Sequence, residues 1–290
     1  MTPDSEKDKM LSIVIPCRNE ASGLALILPD LRKMFPEAEI IISDDASDDN
    51  TKEVIAPFGV KHLQRPYALG NGGAIKAGAR AAQGDVIVFM DGDGQHRPQD
   101  IPALLAKLEE GYDMVVGARD SSGQANMSRR CANGFYNRFS SWVVGHDIMD
   151  LTSGFRAVRR EKFMEFIHLL PNTFSYPTTC TMSFFRAGYP VAYVPVRVEK
   201  RIGKSHIRIF RDGMRFLVII FKIGTLFSPL KIFIPIALLM FLLASAWYGY
   251  TFSTIGRFTN MSLLLYTGGV MVFLMGLISE QITALMYRRD

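Results

Sequence analysis

Two uninterrupted apolar runs near the C-terminus constrain this chain more than any other feature. Ile232 to Phe252 and Phe258 to Ser279 contain no Asp, Glu, Lys or Arg. Each exceeds the roughly 18 residues that mark a membrane-spanning helix. Only Ser253 to Arg257 separates them, so they predict a tight helical hairpin. Lys222, Lys231, Arg288 and Arg289 flank its outer ends, against Arg257 alone in the turn. That asymmetry puts both ends, and the domain before them, in the cytoplasm. Trp247, Tyr248 and Tyr250 fall where an aromatic belt would lie. The alternative is a hairpin buried in a soluble core, but two such runs are too much apolar surface for a core of this size.

The remaining length allows one sizeable domain. With 48% apolar and 21% charged residues the 290-residue chain is globular in composition. A net charge of +5 and a pI near 9.1 suit a nucleic acid, an acidic ligand or an anionic surface, without choosing among them. Cys17, Cys131 and Cys180 are scattered and form no CxxC pair, which speaks against a thiolate metal site and for a reducing compartment. The opening MTPDSEKDKM has no apolar stretch of the signal-peptide kind; it reads as a short polar tail over 1–10 that starts in the cytoplasm.

From residue 11 to about 120, short β-rich runs alternate with helical patterns. LSIVIP (11–16), EIIISDD (39–45), VKHLQR (60–65), DVIVFMD (85–91) and YDMVVGAR (112–119) predict strands. Their near-continuous apolar character is that of parallel strands covered on both faces. Helices lie between them, one expected to start with Ser47 as its N-cap and to run through Ile55. The fold class is α/β with an open, mostly parallel sheet. Ligands bind such sheets at the carboxyl ends of the strands, and the polar clusters Pro16 to Glu20, Asp44 to Asp48 and Asp91 to His96 fall there.

Asp91-Gly-Asp93-Gly-Gln95-His96 ends a buried strand. Two carboxylates one residue apart on a glycine-freed turn can share a hard cation such as Mg²⁺ or Mn²⁺, with Gln95 as a neutral oxygen ligand and His96 behind. Such a metal stabilises a leaving pyrophosphate. The other reading is an ordinary Asp-Gly turn. Pro16, Asn19, Glu20, Asp44 and Asp45 end the first two strands and can grip a base and ribose; Asp44 and Asp45 can equally complement a helix dipole. Gly70-Asn71-Gly72-Gly73-Ala74 opens a helix, either to offer amides to phosphate or to let helix and sheet approach closely. Between 207 and 227, Ile207, Phe210, Met214, Leu217, Val218 and Phe221 repeat at helical spacing beside Arg208, Arg211, Arg215 and Lys222. This is the pattern of a basic amphipathic helix in a membrane interface, or of a helix packed on the domain.

VIPCRNE, SDDASDD, GNGGAIKAGARAAQGD, FMDGDGQHRP, VVGARD, DLTSGFRA and GKSH, in this order, resemble the family 2 glycosyltransferases of glycosyltransferase-A fold. Within them the chain is most similar to the dolichol-phosphate mannose synthase and polyisoprenyl-phosphate glycosyltransferase group, over residues 11 to about 206 and on into the two-span tail. The resemblance implies an inverting, Mg²⁺- or Mn²⁺-dependent transfer of a hexose from a nucleotide-sugar, UDP favoured over GDP, to a polyprenyl phosphate. It puts Pro16, Asn19, Glu20, Asp44 or Asp45, Gly73 and Asp91 on the nucleotide-sugar, and Asp91, Asp93 and Gln95 at the metal. Arg119, Arg129 and Arg130 become acceptor-phosphate contacts, Ser153 to Arg156 a wall of the acceptor site. Lys200, Arg201, Lys204 and Ser205 become a loop over the diphosphate. The implied domains are 11–206 catalytic, 207–228 interfacial and 229–290 a spanning hairpin. The implied place is the inner (plasma) membrane, multi-pass, with the bilayer as partner and no nucleic acid; a homo-oligomer is compatible with it.

The chain departs from that group in two places. Lys200 stands where an Arg is usual, and His206 where the last Lys of GxSK is usual. Many relatives carry a carboxylate near 176–182, where this chain reads Tyr-Pro-Thr-Thr-Cys-Thr-Met. The missing acid is tolerable for one acceptor class: a sugar hydroxyl needs a base, whereas a phosphate monoester, with a second pKa near ~6, is already an anion. Two other readings are a processive polysaccharide synthase and a non-catalytic nucleotide-binding membrane adaptor. The first lacks its Q-x-x-R-W motif here, and the second has no use for an intact Asp91/Asp93 pair.

Overall fold

The computed structural model describes residues 10–119, 127–172, 175–198, 221–222 and 224–286, with side chains omitted at 127–133 and 135. By contacts the chain divides into two units, one within 1–138 and 146–206, the other within 139–145 and 207–290.

The first unit is a seven-stranded mixed sheet in the order β3-β2-β1-β4-β6-β5-β7. β1 (Leu11–Cys17), β2 (Glu39–Asp44), β3 (Lys61–Gln64), β4 (Val86–Phe89) and β5 (Met114–Arg119) follow the apolar runs of the sequence. β6 (Arg156–Arg159) and β7 (Val191–Val196) complete the sheet. β1, β2, β3 and β4 pair in parallel, as do β5 and β7; β6 alone is antiparallel, to β4 and to β5.

Helices cover both faces because the central strands are apolar on both. Ile13, Ile15, Ile40, Ile42 and Val88 pack with Leu24, Ile27, Leu28 and Leu31 of α1 (Ala21–Met34) and with Leu104 and Leu108 of α4 (Ile101–Glu109). On the opposite face α3 (Asn71–Ala81) lies so near β1 that a Cβ on Gly78 would collide with the Val14 side chain. α2 starts later than its expected cap, at Thr51 (Thr51–Ile55). Its N-cap is Asn50, which makes no side-chain cap bond; the preceding Asp49 carboxylate accepts from the Thr51 N–H at 3.1 Å and from the Ala21 N–H of α1 at 3.2 Å. The Ser47 hydroxyl is engaged elsewhere, by the Asn19 N–H at 3.0 Å. α5 (Met127–Val144), α6 (Arg160–Glu165) and α7 (Tyr176–Arg186) follow.

In the second unit, α8 (Pro229–Ile255) and α9 (Asn260–Met286) form a hairpin of two helices, each long and apolar enough to cross a membrane. α8 runs past its uncharged stretch at both ends, whereas α9 starts two residues inside its own and runs on past Ser279; the turn is shorter than expected, with Gly256 as left-handed C-cap at φ 68°. The buried residues of α8 are mostly small, Ala237, Ala244 and Thr251. Those of α9 are Ser262, Gly269, Gly276 and Thr283. Both sets recur every seventh residue, the spacing of a close helix–helix seam. A Cβ at Gly276 would lie 2.6 Å from the Phe233 Cβ. Gly276→Leu should therefore splay the hairpin, read as faster proteolysis between 250 and 262 in detergent; an unchanged cleavage rate would show that the seam is loose. Large apolar side chains such as Leu238, Leu242, Leu264 and Met271 point outward, which a soluble core helix does not allow.

Candidate active site

Parallel pairing brings the carboxyl ends of β1, β2 and β4 to one edge of the sheet. Since β6 runs the other way, its N-terminal approach, Thr152 to Phe155, arrives at that same edge. There a cleft of about 450 Å³ opens. Pro16, Cys17, Arg18 and Glu20 line it from β1, Asp45 from β2, and Gly70, Asn71 and Ala74 from the start of α3. Asp91, Gly92, Asp93 and Gln95 form its floor, and Thr152, Gly154, Tyr176 and Pro177 the far wall.

The loop carrying the two carboxylates is held by backbone packing. Gly23 of α1 faces it so tightly that a Cβ there would overlap Gly92 O and sit 2.8 Å from the Asp93 carbonyl carbon. Asp93 Oδ1 accepts the Gln95 N–H at 3.1 Å, and Gly94 takes φ 73°. On the other side a Cβ on Gly154 would stand 2.7 Å from Asp91 Oδ2. His96 lies behind, its Nε2 3.9 Å from Asp91 Oδ2 and its ring stacked on Phe155 at 4.9 Å. Burial lowers its pKa to about 4, so it is neutral at pH 7.

The residues expected to hold the nucleotide separate into two groups. Pro16, Glu20, Asp45 and Asp91 reach the cleft. Asp45 is fixed there by the Leu69 and Gly70 N–H groups at 2.8 and 2.7 Å and by Arg65 at 3.4 Å. Asn19, Asp44 and Gly73 do not line it. Asn19, at φ 57°, accepts the Asp48 N–H and so ties two loops together. Asp44 is buried between the Ser47 N–H at 2.8 Å and His62 Nε2 at 3.1 Å. The Gly73 N–H already donates to Asn172 O at 3.1 Å, so the close-packing reading of the glycine run is the one its amide supports.

One expected phosphate-binding arginine, Arg119, and the arginine of the expected acceptor wall, Arg156, are likewise engaged by protein. Arg119 makes a bidentate pair with Asp150, Nε–Oδ2 2.7 Å and Nη2–Oδ1 2.9 Å, and also donates to Thr152 Oγ1 of the cleft wall. Arg156 is fully buried and reaches no wall. Its guanidinium donates to Pro177 O at 3.0 Å, Thr181 Oγ1 at 3.2 Å and Ser153 O. It clamps both wall segments from behind, and the Tyr176 hydroxyl donates to Gly154 O at 3.3 Å. Arg129 and Arg130 fall on the first turn of α5, where only backbone is described. Lys200, Arg201, Lys204, Ser205 and most of the expected amphipathic helix lie outside the described residues. Tyr176 and Pro177 line the cleft as well; the sequence marks their segment only by the carboxylate it lacks, and the proline at the first turn of α7 signals a helix start, not a cleft wall.

Burial alone raises the Asp150 pKa, but the hydrogen bond and charge of Arg119 outweigh it and hold the carboxyl below its usual value. A depressed folded pKa contributes stability above the unfolded pKa, and that contribution is lost as pH falls through the folded one. Asp150→Asn should cost about 2 kcal/mol at pH 7, below the ~3–5 of a fully buried pair because Arg119 remains partly exposed. The penalty should shrink in acid; a penalty that does not change with pH would assign it to packing.

Among the described residues, four carboxylates, Glu20, Asp45, Asp91 and Asp93, line the cleft against one guanidinium, that of Arg18. Among the described residues no group of three or more His, Cys, Asp or Glu forms a metal cage. The set does fit a hard cation that takes Asp91, Asp93 and Gln95 oxygens and fills its shell with phosphate oxygens and water.

Solved structures place the fold. Glucosyl-3-phosphoglycerate synthase of Mycobacterium tuberculosis, in complex with phosphoglyceric acid, superposes with TM-score 0.61 at 19% identity, over 74% of this chain and 80% of that one. The same enzyme with Mn²⁺, UDP and glucosyl-3-phosphoglycerate gives 0.57 at 20%, over 73% and 80%. Among curated relatives, the dolichyl-phosphate hexose transferase of Haloferax volcanii is 29% identical over 205 residues, 70% of this chain and 89% of the relative. The undecaprenyl-phosphate mannosyltransferase of Micrococcus luteus is 30% identical over 207 residues, 66% and 85%. The undecaprenyl-phosphate 4-deoxy-4-formamido-L-arabinose transferase of Proteus mirabilis is 34% identical over 194 residues, 60% and 59%. Residues 228–285 match the GtrB C-terminal hairpin. Residues 12–167, more than half of the chain, match glycosyl transferase family 2, and with the mixed sheet and the Asp91/Asp93 loop at its carboxyl edge this makes the chain a member of that family.

Proposed function

We propose that this glycosyltransferase moves a hexose from a UDP-sugar, with inversion, onto a polyprenyl phosphate at the cytoplasmic face of the inner membrane. The observation that carries this is the acidic cleft floor. A diphosphate beside the Asp91 and Asp93 carboxylates is repelled unless a cation offsets them. Bound there by Asp91, Asp93 and Gln95, Mg²⁺ or Mn²⁺ supplies charge stabilisation to the leaving diphosphate. The neighbour solved with Mn²⁺ and UDP supports the donor class, and the polyprenyl-phosphate relatives support the acceptor.

In this reading Pro16, Glu20 and Asp45 hold the nucleoside end. Thr152, oriented by Arg119, and Gly154, clamped through Arg156, shape the sugar and acceptor end. Arg129 and Arg130 meet the acceptor phosphate, and the 200–205 segment closes over the diphosphate. The phosphate oxygen attacks the anomeric carbon as the bond to the diphosphate breaks. No side chain need take a proton, because the acceptor arrives ionised. The domain division 11–206, 207–228 and 229–290 belongs to the same proposal, with the hairpin crossing the bilayer and both its ends cytoplasmic.

The test is a panel of nucleotide-sugars with polyprenyl phosphate and Mn²⁺ or Mg²⁺ in membranes, reading glycolipid. Its pH profile is informative as well. Turnover per acceptor should rise with the second phosphate ionisation near ~6 and then level off. A further limb above that ionisation would reveal a protein base, and transfer to a free sugar in preference to the lipid would overturn the acceptor.

A further inference from the structure

The last turn of α5 belongs by contacts to the hairpin unit, residues 139–145 together with 207–290. The join is polar. Lys231, in the first turn of α8, donates from Nζ to Trp142 O at 3.0 Å and Val143 O at 2.8 Å. The Ser228 hydroxyl adds a bond to Val143 O at 3.2 Å. These carbonyls end a helix and have no partner further along it, so a cation and a hydroxyl complete them. Gly145, at φ 79°, closes the turn. Trp142 nevertheless leaves its indole about half exposed, tilted against Phe139 at 5.8 Å, and Phe221 is equally exposed.

The spacing along α8 indicates what covers this patch. Sixteen residues separate Lys231 from Trp247 and nineteen separate it from Tyr250, which at about 1.5 Å per residue is about 24 to 28 Å. That approaches the ~30 Å of a bilayer's hydrocarbon core. Exposed Leu238, Leu239, Leu242 and Leu243 fill the interval. One end thus carries Trp247 and Tyr250. The other carries Lys231 with Trp142, and Trp142 is supplied by a helix outside the hairpin.

We infer that the end of α5, through Trp142 beside Lys231, is a membrane-interface element that sits in the headgroup layer on the side where α8 begins. This rests on the reading that the hairpin spans the bilayer. The aromatic belt of this side is built in part from α5, and an indole beside an ammonium is the pair that headgroups and upper acyl chains accommodate. The occupant is lipid, because the patch continues the outward apolar surface of α8 at the level where its first charge appears.

The chain has two tryptophans, Trp142 and Trp247, which makes the test optical and separable from catalysis. Full-length Trp247→Phe and Trp142→Phe are each reconstituted in phosphatidylcholine–phosphatidylglycerol vesicles. Emission is then read with iodide in the water and with lipids brominated either near the carboxyl end or mid-chain. In Trp247→Phe, the remaining Trp142 should lose more emission to shallow than to mid-chain bromines and be shielded from iodide. Trp142 open to iodide and indifferent to bromine would overturn the inference. So would Trp142 shielded from both, which would mean a protein surface covers it. Trp142→Phe separates the two levels of failure. If Trp247 is quenched by bromolipid and Trp142 is not, the hairpin reading stands and this inference falls; if neither is quenched, the spanning hairpin itself is wrong.

Discussion

Asp93→Ala should reduce sugar transfer by roughly a thousandfold or more, since a metal at a leaving diphosphate supplies several kcal/mol and each ~1.4 kcal/mol is tenfold in rate. The fold should survive. Asp93 ends a loop at the carboxyl edge of the sheet, and the Gln95 N–H bond it would lose is worth about 1 kcal/mol. Circular dichroism should therefore match the parent protein while Mn²⁺ titration in the presence of UDP loses its binding step. The parent enzyme should fall silent in a chelator and recover with Mn²⁺ or Mg²⁺. Full activity in the chelator would remove the metal from the mechanism.

Gly23→Ala tests the same loop from behind, and there the sign of the stability change decides. Gly23 lies inside α1, where alanine would ordinarily stabilise by about 1 kcal/mol. Its Cβ would instead overlap Gly92 O and crowd Asp93. Both are backbone neighbours with no rotamer to change, so helix and loop must part at a cost of about 1–3 kcal/mol. The variant should melt below the parent and lose most of its metal affinity and turnover, although no side chain of the site has been altered. A variant that melts higher and stays active would show that α1 does not fix the loop.

What the sequence made legible follows from how each element is stabilised. β1, β2, β4 and β5 are covered on both faces, so nearly every residue must be apolar and the run is visible. β6 is as central but reads Arg-Ala-Val-Arg, because both arginines are consumed locally: Arg156 by the carbonyls of the cleft wall, Arg159 by Asp113 at 3.2 Å. β7 is hidden by Pro195, which an edge strand tolerates and a central one does not. The carboxylate loop was legible because it ends a strand. Arg119, Arg156, Asp44 and Gly73 show the limit. Residue type announces a capacity to bind, but the partner that uses up that capacity is chosen by the fold, whether three residues away, as Ser47 is from Asp44, or nearly a hundred, as Asn172 is from Gly73.

The reversed strand has a consequence for how the chain is made. β3, β2, β1 and β4 all lie within residues 11–89, so this half of the sheet, with the Asp91/Asp93 loop just beyond, can pair while the rest is still being synthesised. Until Arg156–Arg159 arrives, β4 stands as an open edge of four uncharged residues, Val86 to Phe89. An exposed apolar edge of that kind recruits other strands. The nascent chain is most prone to mispairing over the roughly seventy residues between Phe89 and Arg156, and the basic strand that finally covers the edge ends that exposure.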